Sequence, residues 1–138
     1  MRKLLPITLE EIVLNELNDE NDWRQLYMNY QLPEEIIEEF PNKVNWSLIS
    51  IYQKLTEPFI EKFQDKLDWF MISRHQELSE GFIEKFANKV NWHLILRNQP
   101  LSKRFIEKHK NELNNDPLVN HILFDGHIIK HIIKHRKL

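Results

Sequence analysis

The chain of 138 residues contains no cysteine, only two glycines and no strong excess of charge of either sign. The lack of cysteine excludes disulfides, thiolate nucleophiles and zinc sites with cysteine ligands. Glycine is needed at the turns of hairpins and β-solenoids, so its scarcity argues against those folds. A net charge of -2 and a pI near 6.4 provide no overall field that would attract nucleic acid or anionic lipid.

Long apolar runs are also missing. The N-terminal segment 1–9 starts basic and apolar, but Glu10 and Glu11 interrupt it before the core of a signal peptide would be complete. No apolar run approaches the length that is needed to cross a membrane. We therefore expect a soluble, cytoplasmic protein without membrane insertion, folded as a single domain over residues 1–138.

A repeat of 23 residues occupies most of the chain. Leucine recurs with this step from Leu9 to Leu101, and tryptophan recurs with the same step from Trp23 to Trp92, without an insertion. Such self-similarity is the signature of an architecture in which each repeat packs on its neighbours. The predicted repeats are 9–31, 32–54, 55–77, 78–100 and 101–123, and a C-terminal capping helix follows within 124–138.

Two short helices are predicted in each repeat. In the third repeat the first helix runs from about Thr56, a good N-cap, to Lys66, with an apolar stripe between them. The second helix begins after Asp68, because aspartate or asparagine precedes every tryptophan; its equivalents are Asp22, Asn45 and Asn91. Helices this short are marginal alone, so each must bury its stripe against neighbours. The predicted fold is all-α, a helical-repeat solenoid of about five two-helix repeats.

The recurring aromatic residues are interpreted as the core of this stack. Tryptophan and isoleucine lie three residues apart on one face of the second helix, as Trp69 and Ile72 do. A ladder of aromatic rings would also suit stacking on bases or peptides, but large aromatic side chains are usually buried, and packing is the preferred interpretation. The predicted core set is Trp23, Trp46, Trp69, Trp92, Phe59, Phe63, Phe82, Phe86 and Phe105.

Other positions of the second helix differ from repeat to repeat while the frame stays fixed. A fixed frame with a variable face is how solenoid proteins present a binding surface. Exposed positions that bind nothing would vary in the same way, so both explanations stay open. The candidate partner-binding residues are Tyr52, Phe70, Arg74, His75, His93, Arg97 and Asn98.

Nucleic-acid binding is the alternative function. Arg74 and Arg97 occupy equivalent positions, which would suit a helical repeat that reads one base. The matching residues of the first two repeats are Met28 and Ile51, so no basic stripe crosses all repeats. Nucleic-acid binding through the Arg/His face and the basic C-terminal tail is therefore ranked second, behind a protein partner of unknown identity.

The C-terminal segment carries histidines at a spacing that metal sites use. His127, His131 and His135 follow each other at steps of four, so neighbouring pairs could share an ion from one helix face. Lys130 and Lys134 line the same polar face and would repel a cation. A basic, solvated face of the capping helix is the preferred interpretation, and we predict neither a metal nor a cofactor.

Catalytic motifs are absent from the sequence. It has no glycine-rich phosphate loop, no paired-carboxylate motif and no nucleophile elbow. The pair Glu61–Lys62 recurs as Glu84–Lys85, and charges repeated in successive repeats indicate a scaffold, since an active site is needed only once. The chain is therefore not expected to be an enzyme.

The pattern FIEKF-x-(D/N)-K-V-(D/N)-W-x-x-I-S-x-x-Q-x-L, which covers roughly 9–113, resembles short tandem repeats in uncharacterised proteins of giant DNA viruses and some large bacteriophages. The resemblance implies a virus-encoded, intracellular, non-enzymatic repeat module, and it transfers no catalytic residue. The function expected on this basis is a protein–protein interaction scaffold that docks on or blocks a host protein.

Replacing Trp69 with alanine tests the packing interpretation. If the tryptophan ladder packs the stack, Trp69→Ala should lower the free energy of unfolding by about 3 kcal/mol, as large-to-small core changes do. Thermal melting measures this directly. A melting temperature that hardly moves would mean that the ladder faces solvent.

Overall fold

The computed structural model describes residues 3–4, 17, 19–113 and 116–118. These residues are mostly helical, in agreement with the predicted all-α class. The chain divides into two compact units, Met1–Met71 and Ile72–Leu138, which are taken separately below as the N-terminal and C-terminal units. Within the described ranges, no helix has both the length and the apolar composition that crossing a bilayer requires.

The helices recur with the period of the sequence. The N-terminal unit contains α1 (Glu20–Asn29), α2 (Glu34–Glu39), α3 (Trp46–Tyr52) and α4 (Glu57–Lys62). The next helix, α5 (Trp69–His75), begins in the N-terminal unit and ends in the C-terminal unit. The C-terminal unit continues with α6 (Glu80–Lys85), α7 (Trp92–Asn98), α8 (Lys103–Lys108) and α9 (Lys110–Leu113). Helices α2, α4, α6 and α8 are the first helices of their repeats, and α3, α5 and α7 are second helices.

A short strand pair in the N-terminal unit was not predicted. Strand β1 (Lys3–Leu4) pairs in parallel with β2 (Tyr30–Gln31), which follows α1 directly. The register places Lys3 opposite Tyr30 and Leu4 opposite Gln31. Because each strand has only two residues, no alternating apolar pattern marks it in the sequence.

Hydroxyl side chains cap the first helices from the third repeat onward, and the predicted cap Thr56 is confirmed. The Thr56 hydroxyl accepts the backbone N–H of Phe59 at 3.4 Å. Ser79 and Ser102 accept the N–H three residues further on, each at 3.1 Å. A first helix of six residues cannot satisfy its own leading N–H groups, so the capping hydroxyl defines where it begins.

Among the second helices, Asn45 and Asn91 cap α3 and α7 as predicted, each accepting the N–H three residues further on. The prediction for Asp22 was wrong. Helix α1 begins at Glu20, and its cap is Asp19, whose carboxylate accepts an N–H two residues further on at 2.8 Å. With Asp19 as the cap, Asp22 lies in the first turn, where the helix dipole favours negative charge.

The first helices are shorter than predicted. Helix α4 ends at Lys62, four residues before the expected end at Lys66. The residue that closes it, Phe63, has φ −106° and ψ 26°, and a turn follows in which the N–H of Lys66 donates to the Phe63 carbonyl at 3.0 Å. The ring of Phe63 stacks on Trp46 with centroids 5.1 Å apart instead of extending the helical stripe.

One isoleucine from nearly every helix forms the centre of each unit's core. Each of these side chains is at least 98% buried, and burial of such a side chain stabilises the fold by about 1.5–3 kcal/mol. The isoleucines are Ile37, Ile49 and Ile60 in the N-terminal unit and Ile72, Ile83, Ile95 and Ile106 in the C-terminal unit.

A buried glutamine at the end of a second helix joins successive repeats in each unit. In the N-terminal unit, Gln53 accepts the N–H of Leu32 at 2.8 Å, and its amide nitrogen donates to the Tyr27 and Tyr30 carbonyls at 2.5 and 2.7 Å. In the C-terminal unit, the equivalent glutamine, Gln99, accepts the N–H of Leu78 at 3.0 Å and donates to the Gln76 carbonyl at 2.7 Å. The amide thus links the first N–H of its own repeat to carbonyl groups at the end of the preceding repeat.

A serine in the second helix makes another bond of this kind. Ser50 accepts the N–H of Asp68 at 3.2 Å in the N-terminal unit, and Ser73 accepts the N–H of Asn91 at 2.9 Å in the C-terminal unit. Both serines are fully buried. The equivalent position of α7 is Leu96, which is buried and apolar.

Gln99→Ala should lower the free energy of unfolding by about 3 kcal/mol, because it leaves the Leu78 N–H and the Gln76 carbonyl buried without partners and opens a cavity. Urea unfolding measures the change. The matched control is Asn88→Ala, an exposed amide in the same unit, which should shift stability by less than about 0.5 kcal/mol. Equal effects of the two variants would contradict the bridging role.

Candidate functional site

The second helices hold their tryptophans in the same way. The indole N–H of Trp46 donates to the Pro41 carbonyl at 3.1 Å, and Trp69 and Trp92 donate to the carbonyl five residues before them at 2.8 and 3.0 Å. These three tryptophans are half-buried, whereas Trp23 is completely buried. The indole bond fixes each ring against the turn that precedes its helix.

Other rings of the same unit cover the tryptophan faces. In the N-terminal unit, Trp46 stacks on Phe63 and Phe59 with centroids 5.1 and 6.4 Å apart. In the C-terminal unit, Trp92 stacks on Phe105 at 6.1 Å. Of the remaining predicted core residues, Phe59, Phe82, Phe86 and Phe105 are buried, and Phe63 is half-buried. Rings that already stack on each other leave less face for a base or a peptide.

The candidate binding residues differ in exposure. Those that are exposed are Phe70, Arg74, His75, His93 and Arg97, and those that are half-buried are Tyr52 and Asn98. The amide of Asn98 donates to the Leu94 carbonyl of its own helix at 2.8 Å. Five of the seven candidates therefore face solvent.

On α7, two candidates are bound to an acidic residue of the next repeat. Arg97 contacts Asp116 through both terminal nitrogens, with Nη2 3.1 Å from Oδ1 and the closer contact made by Nη1. His93 Nδ1 lies 2.8 Å from Asp116 Oδ2. The Asp116 side chain is only 6% exposed and also accepts the N–H of Leu118 at 3.0 Å. The positive face of α7 is therefore occupied by the chain's own carboxylate.

This environment acts on the pKa of Asp116 in two directions. Burial of the carboxyl would raise the pKa, but the hydrogen bonds from Arg97 and the Leu118 N–H, with the charges of Arg97 and His93, lower it more. The pKa of Asp116 therefore lies below its ordinary value. Asp116 directly precedes Pro117 and Leu118, which are helical.

On α5, the candidates are exposed. Phe70 is 49% exposed, and among the described residues no other large apolar side chain is exposed. Arg74 and His75 lie in the last turn, and burial and the Arg74 charge together hold the pKa of His75 below its ordinary value. In the described part of the chain, neither Arg74 nor His75 forms a salt bridge with a carboxylate.

His109 makes contacts that the sequence analysis did not anticipate. It replaces the phenylalanine found at Phe86 in the preceding repeat, and its ring stacks on Trp92 with centroids 4.9 Å apart. Its Nε2 lies 3.0 Å from Glu84, and its Nδ1 lies 3.5 Å from Glu112. Hydrogen bonds from Lys108 and His109 lower the pKa of Glu84. The sequence feature that could have indicated these contacts is the replacement of a recurring phenylalanine by histidine at position 109.

An open depression of about 280 Å³ lies in the N-terminal unit, lined by Glu20, Trp23, Asn42, Lys43, Val44 and Asn45. None of the candidate partner-binding residues lines it. Within the described ranges, no group of three or more histidine, aspartate or glutamate residues is placed to hold a metal ion. His127, His131 and His135 lie outside the described residues, as does the predicted cap 124–138.

Comparison of the chain with protein-family models, with curated proteins and with solved structures finds no match.

Asp116→Asn should lower the free energy of unfolding by about 1–2 kcal/mol at neutral pH, because it removes the charged acceptor of Arg97. A carboxyl whose pKa is lowered by folding stabilises the folded state above its unfolded pKa, and this stabilisation is lost as the pH falls through the folded pKa. The difference between wild type and Asp116→Asn should therefore vanish well below the ordinary value of 3.8.

Urea unfolding at neutral and at acidic pH measures this difference. The control is Glu107→Gln, which removes an exposed carboxylate from α8 and should change stability by less than about 0.5 kcal/mol. A pH-independent cost of Asp116→Asn would show that the ion pair is not its cause.

Proposed function

We propose that the chain is a non-enzymatic scaffold that binds another protein through the exposed side of its second helices, foremost α5. The observation that carries the proposal is Phe70, a large apolar side chain 49% exposed on α5, with the exposed Arg74 one turn further along the helix. Aromatic residues and arginine are enriched in protein interfaces and at their hot spots. A single exposed apolar residue would mean little, so the pairing with arginine is the supporting feature.

The contrast between the buried face and the exposed face of α5 supports this proposal. Ile72 and Ser73 are buried, while Phe70 and Arg74 face solvent. The buried side is constrained by packing and by the recurring serine and glutamine bonds. The exposed side is free to differ between repeats without cost to the fold, which is where a binding surface can evolve.

A solenoid of about five repeats is part of the proposal. Its support is the recurrence of the same contacts in both units. Gln53 bonds to Tyr30 in one and Gln99 to Gln76 in the other, each pair 23 residues apart. Thr56 and Ser102 likewise donate to a glutamate 22 residues earlier, at 2.8 and 3.2 Å. Contacts that repeat with the sequence period are those expected of stacked repeats.

The resemblance to viral tandem repeats suggests the origin of the chain and the source of its partner. The chain would be virus-encoded, and its partner would be a host protein of the cytoplasm that it docks on or blocks. The recurrence of the same charged residues in successive repeats favours a scaffold over a catalyst.

Nucleic acid is a weaker candidate as the partner. Of the two equivalent arginines, Arg97 is bound by Asp116, which reduces the charge available to phosphates. Sequence-independent nucleic-acid binding depends on several phosphate contacts at once.

Affinity capture from a lysate of the native host cell tests the proposal. We expect the wild-type chain to capture a protein whose recovery falls at least about tenfold when Phe70, Arg74 and His75 are replaced together by serine, since loss of a hot spot costs 2 kcal/mol or more. The control is Arg104→Ser, which removes one exposed positive charge from a first helix.

The outcome separates the candidate partners. Capture that persists after nuclease treatment, and that the triple variant loses but Arg104→Ser keeps, supports a protein interface on α5. Capture that disappears with nuclease and weakens steeply with salt would indicate nucleic acid. A protein captured equally by all three chains would place the interface elsewhere and contradict the proposal.

A further inference from the structure

Two second helices carry an arginine at the same place in the repeat, and α7 shows what that arginine can hold. Arg97 contacts both carboxylate oxygens of Asp116, and His93, one turn earlier, adds a contact of 2.8 Å. A fork of two N–H donors matches the two oxygens of a carboxylate, which makes this pairing both strong and directional. Within the C-terminal unit, this helix surface therefore serves as a carboxylate site.

Helix α5 presents the same arginine without the carboxylate. Arg74 is exposed, and His75 beside it adds a second basic group. The pKa of His75 lies below its ordinary value through burial and through the charge of Arg74, as expected where two basic groups adjoin without a counter-charge. In the described residues, no carboxylate forms a salt bridge with either of them.

We propose that Arg74 binds a carboxylate supplied by an acidic segment of the partner protein, and that Phe70 packs against an apolar residue of that segment. Phe70 lies four residues before Arg74, the spacing that places two side chains on one face of a helix. The inference rests on the proposed function and specifies the partner's chemistry: aspartate or glutamate next to a large apolar side chain.

Charge complementarity favours a carboxylate segment over a nucleic-acid phosphate. The chain carries a net charge of -2, so a long polyanion meets overall repulsion, while a short acidic segment senses mainly the local positive charge. Phe70 strengthens this choice, because an exposed aromatic ring beside an arginine can contact an apolar side chain of a peptide.

Two synthetic peptides of equal length test the inference by fluorescence anisotropy with the full chain. The first has aspartates and glutamates around leucine and phenylalanine, and the second has asparagine and glutamine in place of every acid. We expect the acidic peptide to bind at least about tenfold more tightly, since charged hydrogen bonds are about twice as strong as neutral ones.

Two single variants locate the preference. Arg74→Gln should abolish the preference for the acidic peptide, whereas Arg104→Gln, which removes the same charge from an exposed site on α8, should retain it. Both side chains are exposed, and thermal melting verifies that both variants fold. Phe70→Ser should weaken the binding of both peptides equally, because it removes the apolar contact that they share.

Three results would overturn the inference: equal affinity for the two peptides, including no binding of either; a preference that survives Arg74→Gln; or tighter, Arg74-dependent binding of a single-stranded oligothymidylate. Failure here can be told from failure of the proposed function. If a host protein is still captured through α5 while the acidic peptide shows no preference, the interface stands and only its chemistry is wrong.

Discussion

The fold depends on side chains that satisfy the backbone of a neighbouring repeat. Helices of six or seven residues leave many of their N–H and C=O groups without partners inside the helix. At helix ends and between helices, the chain holds further backbone groups that need partners. Gln53 accepts one N–H and donates to two carbonyls there in the N-terminal unit, and Gln99 accepts one N–H and donates to one carbonyl in the C-terminal unit. A buried amide is suited to this task because one end accepts while the other donates. Without it, burial of the leading leucine would bury an unsatisfied N–H as well.

This constraint also limits where function can reside. The inner positions of α3 and α5 are committed to isoleucine and serine, and those of α7 to isoleucine and leucine. A buried glutamine follows each of these three helices, and the indole bond holds their tryptophans. Only the outer side of each second helix is left for binding a partner, and even there a side chain can be paired with another residue of the same chain. The sequence predicts Arg97 as a binding residue, yet Arg97 is paired with Asp116. Among the described residues, Arg74 at the equivalent position forms no salt bridge with a carboxylate. Equivalent residues in a repeat therefore need not have equivalent roles.

Sequence reasoning succeeded where the determining interactions are local. The caps Thr56, Asn45 and Asn91 were predictable because a capping side chain and the N–H it accepts are three residues apart. It failed where distant contacts decide. Helix α4 ends earlier than predicted, at the point where Phe63 stacks on Trp46, a residue 17 positions earlier in the chain. The partner of Arg97 lies 19 residues away, beyond the repeat pattern, so exposure and pairing of the candidate residues could not be read from periodicity.

Helix α7 carries Leu96 where α3 and α5 carry serine, and this difference affects where further copies of the repeat could be added. Ser50 and Ser73 each accept a hydrogen bond from the backbone N–H of the residue that caps the following second helix. This bond joins each of these second helices to the next one. Leu96 offers no acceptor there. A copy of the repeat duplicated before α7 would inherit the serine bond, whereas a copy with a complete second helix placed directly after α7 would find no acceptor for the N–H that precedes that helix. Duplication within the early repeats could therefore lengthen the array without adding an unsatisfied donor, and duplication directly after α7 could not.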